Sequence, residues 1–125
     1  MTATRRRVLE ILLESHKAMG AYEILDRLKE EGLAKAPPIV YRALDFLTSC
    51  DFAHRIEALN AFVACIHPEG AHQPGFLICN SCHKVAETHE PALRNGAHTA
   101  ARNAGFNPTR IVVEITGLCP DCASA

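Results

Sequence analysis

Two Cys-x-x-Cys knuckles, Cys79-Asn80-Ser81-Cys82 and Cys119-Pro120-Asp121-Cys122, constrain this chain more than any other feature. A two-residue gap lets both sulfurs of a tight turn point at one ion. Tetrahedral zinc takes four thiolates, so the two knuckles together make a closed structural site. The alternatives are two disulfides or a dithiol redox pair. Redox Cys-x-x-Cys motifs usually come singly, and nothing in the sequence points to an oxidising compartment, so zinc is the expectation.

At 125 residues the chain makes one small domain or two very small ones, and a metal staple or a partner chain helps to stabilise either. There is no N-terminal apolar run fit for a signal peptide and no stretch of membrane-spanning length, so a cytoplasmic location with reduced thiols is expected. The net charge is −1, from 13 Lys and Arg against 14 Asp and Glu. Neither half is basic, so composition by itself does not announce nucleic acid. DNA binding then rests on a few placed cations such as Arg5, Arg6, Arg7 and Arg42.

The spacing predicts a first helix over 5–15, with Val8, Leu9, Ile11, Leu12 and Leu13 apolar and Thr4 as its cap. Residues 16–20 break the pattern, and a second short helix over 21–31 carries Ile24, Leu25 and Leu28 and ends at Gly32. Pro37-Pro38 can start a third helix, running to about Cys50, with Val40, Ala43, Leu44 and Leu47 inward and Tyr41, Arg42 and Asp45 outward. Alternation over 53–57 and 61–66 predicts a hairpin around Ala58-Leu59-Asn60. Three helices and a hairpin outline a winged helix, in which the third helix enters the major groove; a three-helix core that binds no DNA fits the same pattern.

The expected class is therefore α+β: a winged-helix domain over 1–66, a turn-rich hinge over 67–75 and a small α/β domain over 76–125. In the last, 76–79 and 84–88 read as strands, 91–103 as a helix and 107–116 as a strand with Ile111, Val113 and Ile115 on one face. One helix over three strands leaves apolar surface uncovered, which predicts a homodimer.

Cys50 and Cys65 lie outside the knuckles. Cys50 reads as a small buried apolar residue. His54, Cys65, His72 and Glu87 offer two imidazoles, a thiolate and a carboxylate, a sound four-coordinate zinc shell, although a chain with six cysteines and seven histidines offers other sets too. His67, His83 and His89 could substitute or act behind the ligands, whereas His16 and His98 read as surface or core histidines. The thiolate favours zinc over manganese and disfavours magnesium and calcium. No His-Glu-x-x-His motif appears, so a zinc hydrolase is not expected and the chain reads as a non-enzyme.

The run from Pro37 to Leu47, the hairpin from His54 to Cys65 and the two knuckles resemble the ferric uptake regulator superfamily, and within it the zinc uptake regulator branch. The resemblance implies a homodimeric, zinc-dependent transcriptional repressor with an N-terminal winged helix and a C-terminal dimerisation domain. It makes Cys79, Cys82, Cys119 and Cys122 the structural zinc site and His54, Cys65, His72 and Glu87 the regulatory one. It places Tyr41 and Arg42 on the recognition helix, with Arg42 reading a purine edge, and matches Tyr22 to another DNA-contacting tyrosine. Asp26 and Lys29 match positions of a dimer–dimer contact, here with a lysine that cannot form arginine's bidentate pair.

The chain starts at a segment that in relatives follows a further N-terminal helix, so lower DNA affinity is expected. The run His72-Gln73-Pro74-Gly75-Phe76 lacks the closely spaced histidines of a third site, which sets the expectation at two zinc ions per protomer. A sibling sensor of iron, manganese or peroxide, or a zinc-binding interaction or buffer protein without DNA binding, are the alternative functions.

Overall fold

Helix α1 (Ala3–Glu14) starts two residues earlier than expected, because Thr2 and not Thr4 is the cap: its hydroxyl accepts the Arg5 N–H at 3.2 Å. The computed structural model describes residues 1–15, 17–65 and 74–124 and divides into two units, Met1–His72 and Gln73–Ala125. Among the described residues no helix is long and apolar enough to cross a membrane.

In the first unit, α1, α2 (Ala21–Glu30) and α3 (Pro37–Ser49) bury one stripe each: Val8, Ile11 and Leu12; Ile24, Leu25 and Leu28; Val40, Ala43, Leu44 and Leu47. These side chains form a single core, in which each large aliphatic residue contributes about 1.5–3 kcal/mol of transfer free energy. Leu13 falls outside it and is exposed.

Helices α2 and α3 end in the same way. Leu33 N–H reaches the Leu28 carbonyl at 2.9 Å and Gly32 N–H reaches Lys29 at 3.1 Å, with Gly32 at φ 72°. After α3, Phe52 N–H bonds Leu47 at 2.9 Å and Asp51 N–H bonds Thr48 at 3.2 Å, with Asp51 at φ 60°. Both are Schellman caps, which satisfy orphan carbonyls by one left-handed residue. The α3 cap displaces Cys50 from the core: it is exposed, contrary to the buried apolar residue expected.

Strands β1 (Ala53–Ile56) and β2 (Ala61–Ala64) pair antiparallel, Ala53 with Ala64 and His54 with Val63. They are each shorter than the alternation predicts. The segment before α2 joins them, since Met19 and Phe62 exchange backbone hydrogen bonds at 2.9 and 2.8 Å. A single bridge carries no periodicity, so sequence reasoning passes over it.

In the second unit, β3 (Gly75–Cys79) is central, antiparallel to β4 (Val85–Thr88) and parallel to β5 (Glu114–Gly117). Only the end of the strand expected over 107–116 pairs: Ile111 and Val113 precede β5, with the Val113 carbonyl accepting the Phe76 N–H at 2.9 Å. Helix α4 (Pro91–Asn103) begins on its proline as expected and ends in a third Schellman cap at Gly105, with φ 80° and Phe106 N–H on Ala101 at 2.8 Å. A short α5 (Pro120–Ala123) follows, starting inside the second knuckle. No residue of α4 is buried, and Leu77, aligned with Ala86 and Ile115 across the sheet, stands exposed with Ile115.

Candidate metal centre and nucleic-acid face

Strand β3 delivers Cys79 to the sheet end, where a tight turn returns the chain to β4. Cys79 N–H bonds the Lys84 carbonyl at 3.0 Å, and His83, at φ 62°, sends its N–H back to the Cys79 carbonyl at 3.0 Å. Asn80 N–H on Gly117 at 2.7 Å ties the end of β5 to this turn, which brings Cys119 and α5 alongside.

The ligand atoms of Cys79, Cys82, Cys119 and Cys122 all lie within 4.8 Å of one another. The Cys82 and Cys119 sulfurs are 3.8 Å apart. Four Zn–S bonds of about 2.3 Å at tetrahedral angles put sulfurs about 3.8 Å apart, whereas a disulfide needs about 2.05 Å. None of the six cysteines is disulfide-bonded, so the disulfide alternative is not what the chain adopts.

The electrostatics of the four sulfurs fit a dication. Backbone N–H groups of Cys82, at 3.5 Å, and Cys119, at 3.4 Å, point at the Cys79 sulfur. Together they draw its thiol down to about 5, so that it stands as a thiolate. Cys122 is pushed up to about 12, first by its hydrogen bond to the Cys119 sulfur. Four sulfurs at this spacing do not all ionise unless a cation joins them, and the cluster fits a structural zinc site. Lys84 adds a positive charge at the rim, 3.4 Å from Asp121, and Asp121 and the nearby Cys119 and Cys82 sulfurs raise its pKa. His83 is exposed, and the sulfur set is complete without it.

A second pair of ligand types sits on the hairpin. Side chains alternate across strands, so Ala53, Arg55, Phe62 and Ala64 share the face toward the helices, while His54, Ile56, Val63 and Cys65 share the other. Cys65, whose N–H bonds the Phe52 carbonyl at 2.9 Å, is buried, and its sulfur lies within 4.8 Å of a ring nitrogen of His54. The structure thus brings together the thiol and one imidazole of the expected second set. Glu87 is half-buried on β4, in the other unit; His72, and with it His67, lies outside the described residues. His89 is exposed and His98 half-buried on α4; His16 is another residue outside the description.

On the helical side, Tyr22 in the first turn of α2 and Tyr41 on α3 are both exposed and line one recess of about 190 Å³ with Glu23, Asn60 and Phe62. Arg42, Asp26 and Lys29 are exposed, the first on α3 and the other two on α2. Arg6 is exposed, but the other two N-terminal cations are less available than the sequence indicates. Arg7 is held by Glu31 through Nε at 2.7 Å and Nη2 at 3.0 Å, and also by Glu10 and Glu14, while the Arg5 guanidinium lies 4.1 Å above the Phe46 ring. Beside this recess Arg55 Nη2 donates to Asn60 Oδ1 at 2.9 Å, a pairing that sequence reasoning missed. The available signal was an asparagine closing a hairpin turn, a position that favours positive φ, and Asn60 has φ 47°.

Comparisons with known proteins agree with this geometry. The model of the ferric uptake regulator family matches residues 1–116. The zinc uptake regulation protein of Escherichia coli (strain K12) is 36% identical over 123 residues, spanning 98% of this chain and 72% of that protein. A crystal structure of holo XcZur superposes with TM-score 0.90 at 42% identity, over 99% of this chain and 86% of that one. A zinc uptake regulator complexed with zinc and DNA superposes with TM-score 0.92 at 35% identity, over 98% of this chain and 83% of that one.

Proposed function

Because the chain belongs to the ferric uptake regulator family, we propose that it is a zinc-responsive transcriptional repressor that binds operator DNA of zinc-uptake genes as a homodimer in the cytoplasm. The observation that carries this reading is the pairing of His54 with Cys65 on one face of the hairpin, within 4.8 Å, a ligand set that shares no residue with the four cysteines. A thiolate beside an imidazole is a zinc preference; iron and manganese sensing would favour nitrogen and oxygen in its place.

On this reading the four clustered cysteines hold the second unit together, and His54, Cys65, His72 and Glu87 form the regulatory site, for two zinc ions per protomer. An ion held by these residues would crosslink the ligands that bind it. His54 and Cys65 belong to the DNA-binding wing, and Glu87 belongs to the sheet of the dimerisation unit. Closing that set favours a dimer whose two α3 helices fit one face of a duplex. Tyr41 and Arg42 on α3 and Tyr22 on α2 contact DNA, with the Arg42 fork suited to a guanine edge. Asp26 and Lys29 are available for a contact between neighbouring dimers. The exposed Leu77 and Ile115 and the unburied α4 support a second copy covering the second unit. No catalytic step is part of this function.

Fluorescence anisotropy with a duplex selected by the protein from a randomised pool tests the reading. Binding is expected with zinc and lost on graded chelation, and the same duplex tightens zinc by the factor by which zinc tightens DNA. Equal zinc affinity with and without the duplex overturns it.

A further inference from the structure

Arg55 lies on the hairpin face that packs on the helices, directly opposite Phe62, yet it is exposed while Phe62 is buried. Its Nη2 donates to Asn60 Oδ1 at 2.9 Å, across the turn that Leu59 and Asn60 close with N–H bonds to Ile56 and Glu57, each 3.3 Å. Asn60 in turn lines the recess shared by Tyr22 and Tyr41. The turn therefore holds the Arg55 guanidinium on Asn60, a residue that lines the recess together with the two tyrosines.

We propose that Arg55 is a DNA-phosphate ligand and that Asn60 is the residue that positions it, an assignment that rests on the DNA-binding reading above. Three features favour this. The guanidinium is a fork, so one N–H can stay on Asn60 while others engage a phosphate oxygen. Glu23 lines the recess itself, and its carboxylate disfavours a phosphate there, whereas Arg55, held on Asn60 beside the lining, attracts one. The chain also has net charge −1, and Arg7 is already engaged by three glutamates, so one pre-oriented cation matters more here than in a basic protein. Asn60 is suited to its place twice over: it tolerates positive φ, and its amide oxygen restricts a side chain that otherwise loses much rotamer entropy on binding.

The test uses the full zinc-loaded protein and the duplex it selects, with affinity measured across a salt series. Arg55→Met is expected to weaken binding about tenfold or more, equally on sequence variants of the duplex, and to make the log–log salt slope shallower by about 0.9. Arg55→Lys restores the slope but only part of the affinity. Asn60→Gly keeps the turn conformation and the charge, so it weakens binding while leaving the slope intact. A wild-type affinity and slope in Arg55→Met overturn the proposal, as does a loss confined to particular base substitutions, which would mean a base contact. If the wild type retains no duplex under any zinc concentration, the DNA reading fails first and takes this one with it. If the wild type binds and Arg55→Met binds equally, only this one falls.

Discussion

The sulfurs of Cys82 and Cys119, 37 positions apart in the sequence, lie 3.8 Å from each other. Among the described residues neither helix of the second unit has a fully buried residue, and the sulfurs join β3, the β3–β4 turn and α5. Structural zinc contributes about 10–16 kcal/mol to folding, comparable to or above the whole stability of about 5–15 kcal/mol of a small domain. Cys79→Ser, or exhaustive chelation, is therefore expected to abolish the NMR dispersion of residues 74–124 while the signals of 1–65 persist. Retained dispersion in both regions after metal loss would remove the staple from the account.

Acid should act on the first unit through Arg7. Its guanidinium holds Glu31 bidentately and also reaches Glu14, which Arg27 meets from the other side at 3.1 Å. The hydrogen bond from Arg7 lowers the Glu31 carboxyl below its ordinary 4.5, and those from Arg27 and then Arg7 do the same for Glu14. A depressed folded-state value means that the pairs stabilise the fold above 4.5, and that this contribution disappears as pH falls through the depressed values. Urea midpoints measured on either side of that range should fall less steeply in Glu31→Gln than in wild type, by a small margin because these groups are exposed. Parallel curves would show that the network has no linkage to folding.

Two residues of α3 should separate sharply. Leu44 is fully enclosed in the helical core, and Leu44→Ala is expected to cost about 2–5 kcal/mol in a urea melt. Cys50 is exposed at the end of the same helix, and Cys50→Ser should stay within about 0.5 kcal/mol of wild type. A large loss in Cys50→Ser would mean that the thiol has a role its exposure hides.

What the sequence displays well is whatever repeats at a fixed spacing. The three helical stripes, the alternating hairpin and the two knuckles each follow from local periodicity, and Leu28, Leu44, His54 and Cys79 all lie where it puts them. What it hides depends on a single bond or on a turn. Thr2 displaces Thr4 as cap because hydroxyl geometry is invisible in composition. Cys50 leaves the core because Asp51 takes a left-handed conformation. Only Val113, whose carbonyl accepts the Phe76 N–H at 2.9 Å, and residues 114–117 of a longer expected strand find a strand partner, and pairing is a long-range event. The diversion of Arg7 to Glu31 involves residues 24 apart, beyond any helical spacing rule.

The hairpin pair gives the last expectation. His54 and Cys65 present an imidazole and a thiol from one face of the hairpin, and this geometry is expected to persist whether or not the four-cysteine cluster is loaded, because the ladder and the Cys65–Phe52 backbone bond set it. Cys65→Ser should therefore yield a folded protein that carries one zinc fewer per protomer than wild type, with the cluster still filled, and DNA binding that no longer follows zinc. His54→Ala should behave alike. Cys65→Asp is the more telling variant: replacing sulfur by oxygen keeps an anionic ligand but removes the soft donor, so competition among zinc, manganese and ferrous iron should shift away from zinc. Elemental analysis of the three variants, alongside anisotropy under each metal, reads all of this. If Cys65→Ser retains the full zinc complement, the hairpin pair is not a ligand set. If it unfolds as Cys79→Ser does, the separation between a sulfur cluster that holds the fold and a mixed site that reports on zinc disappears.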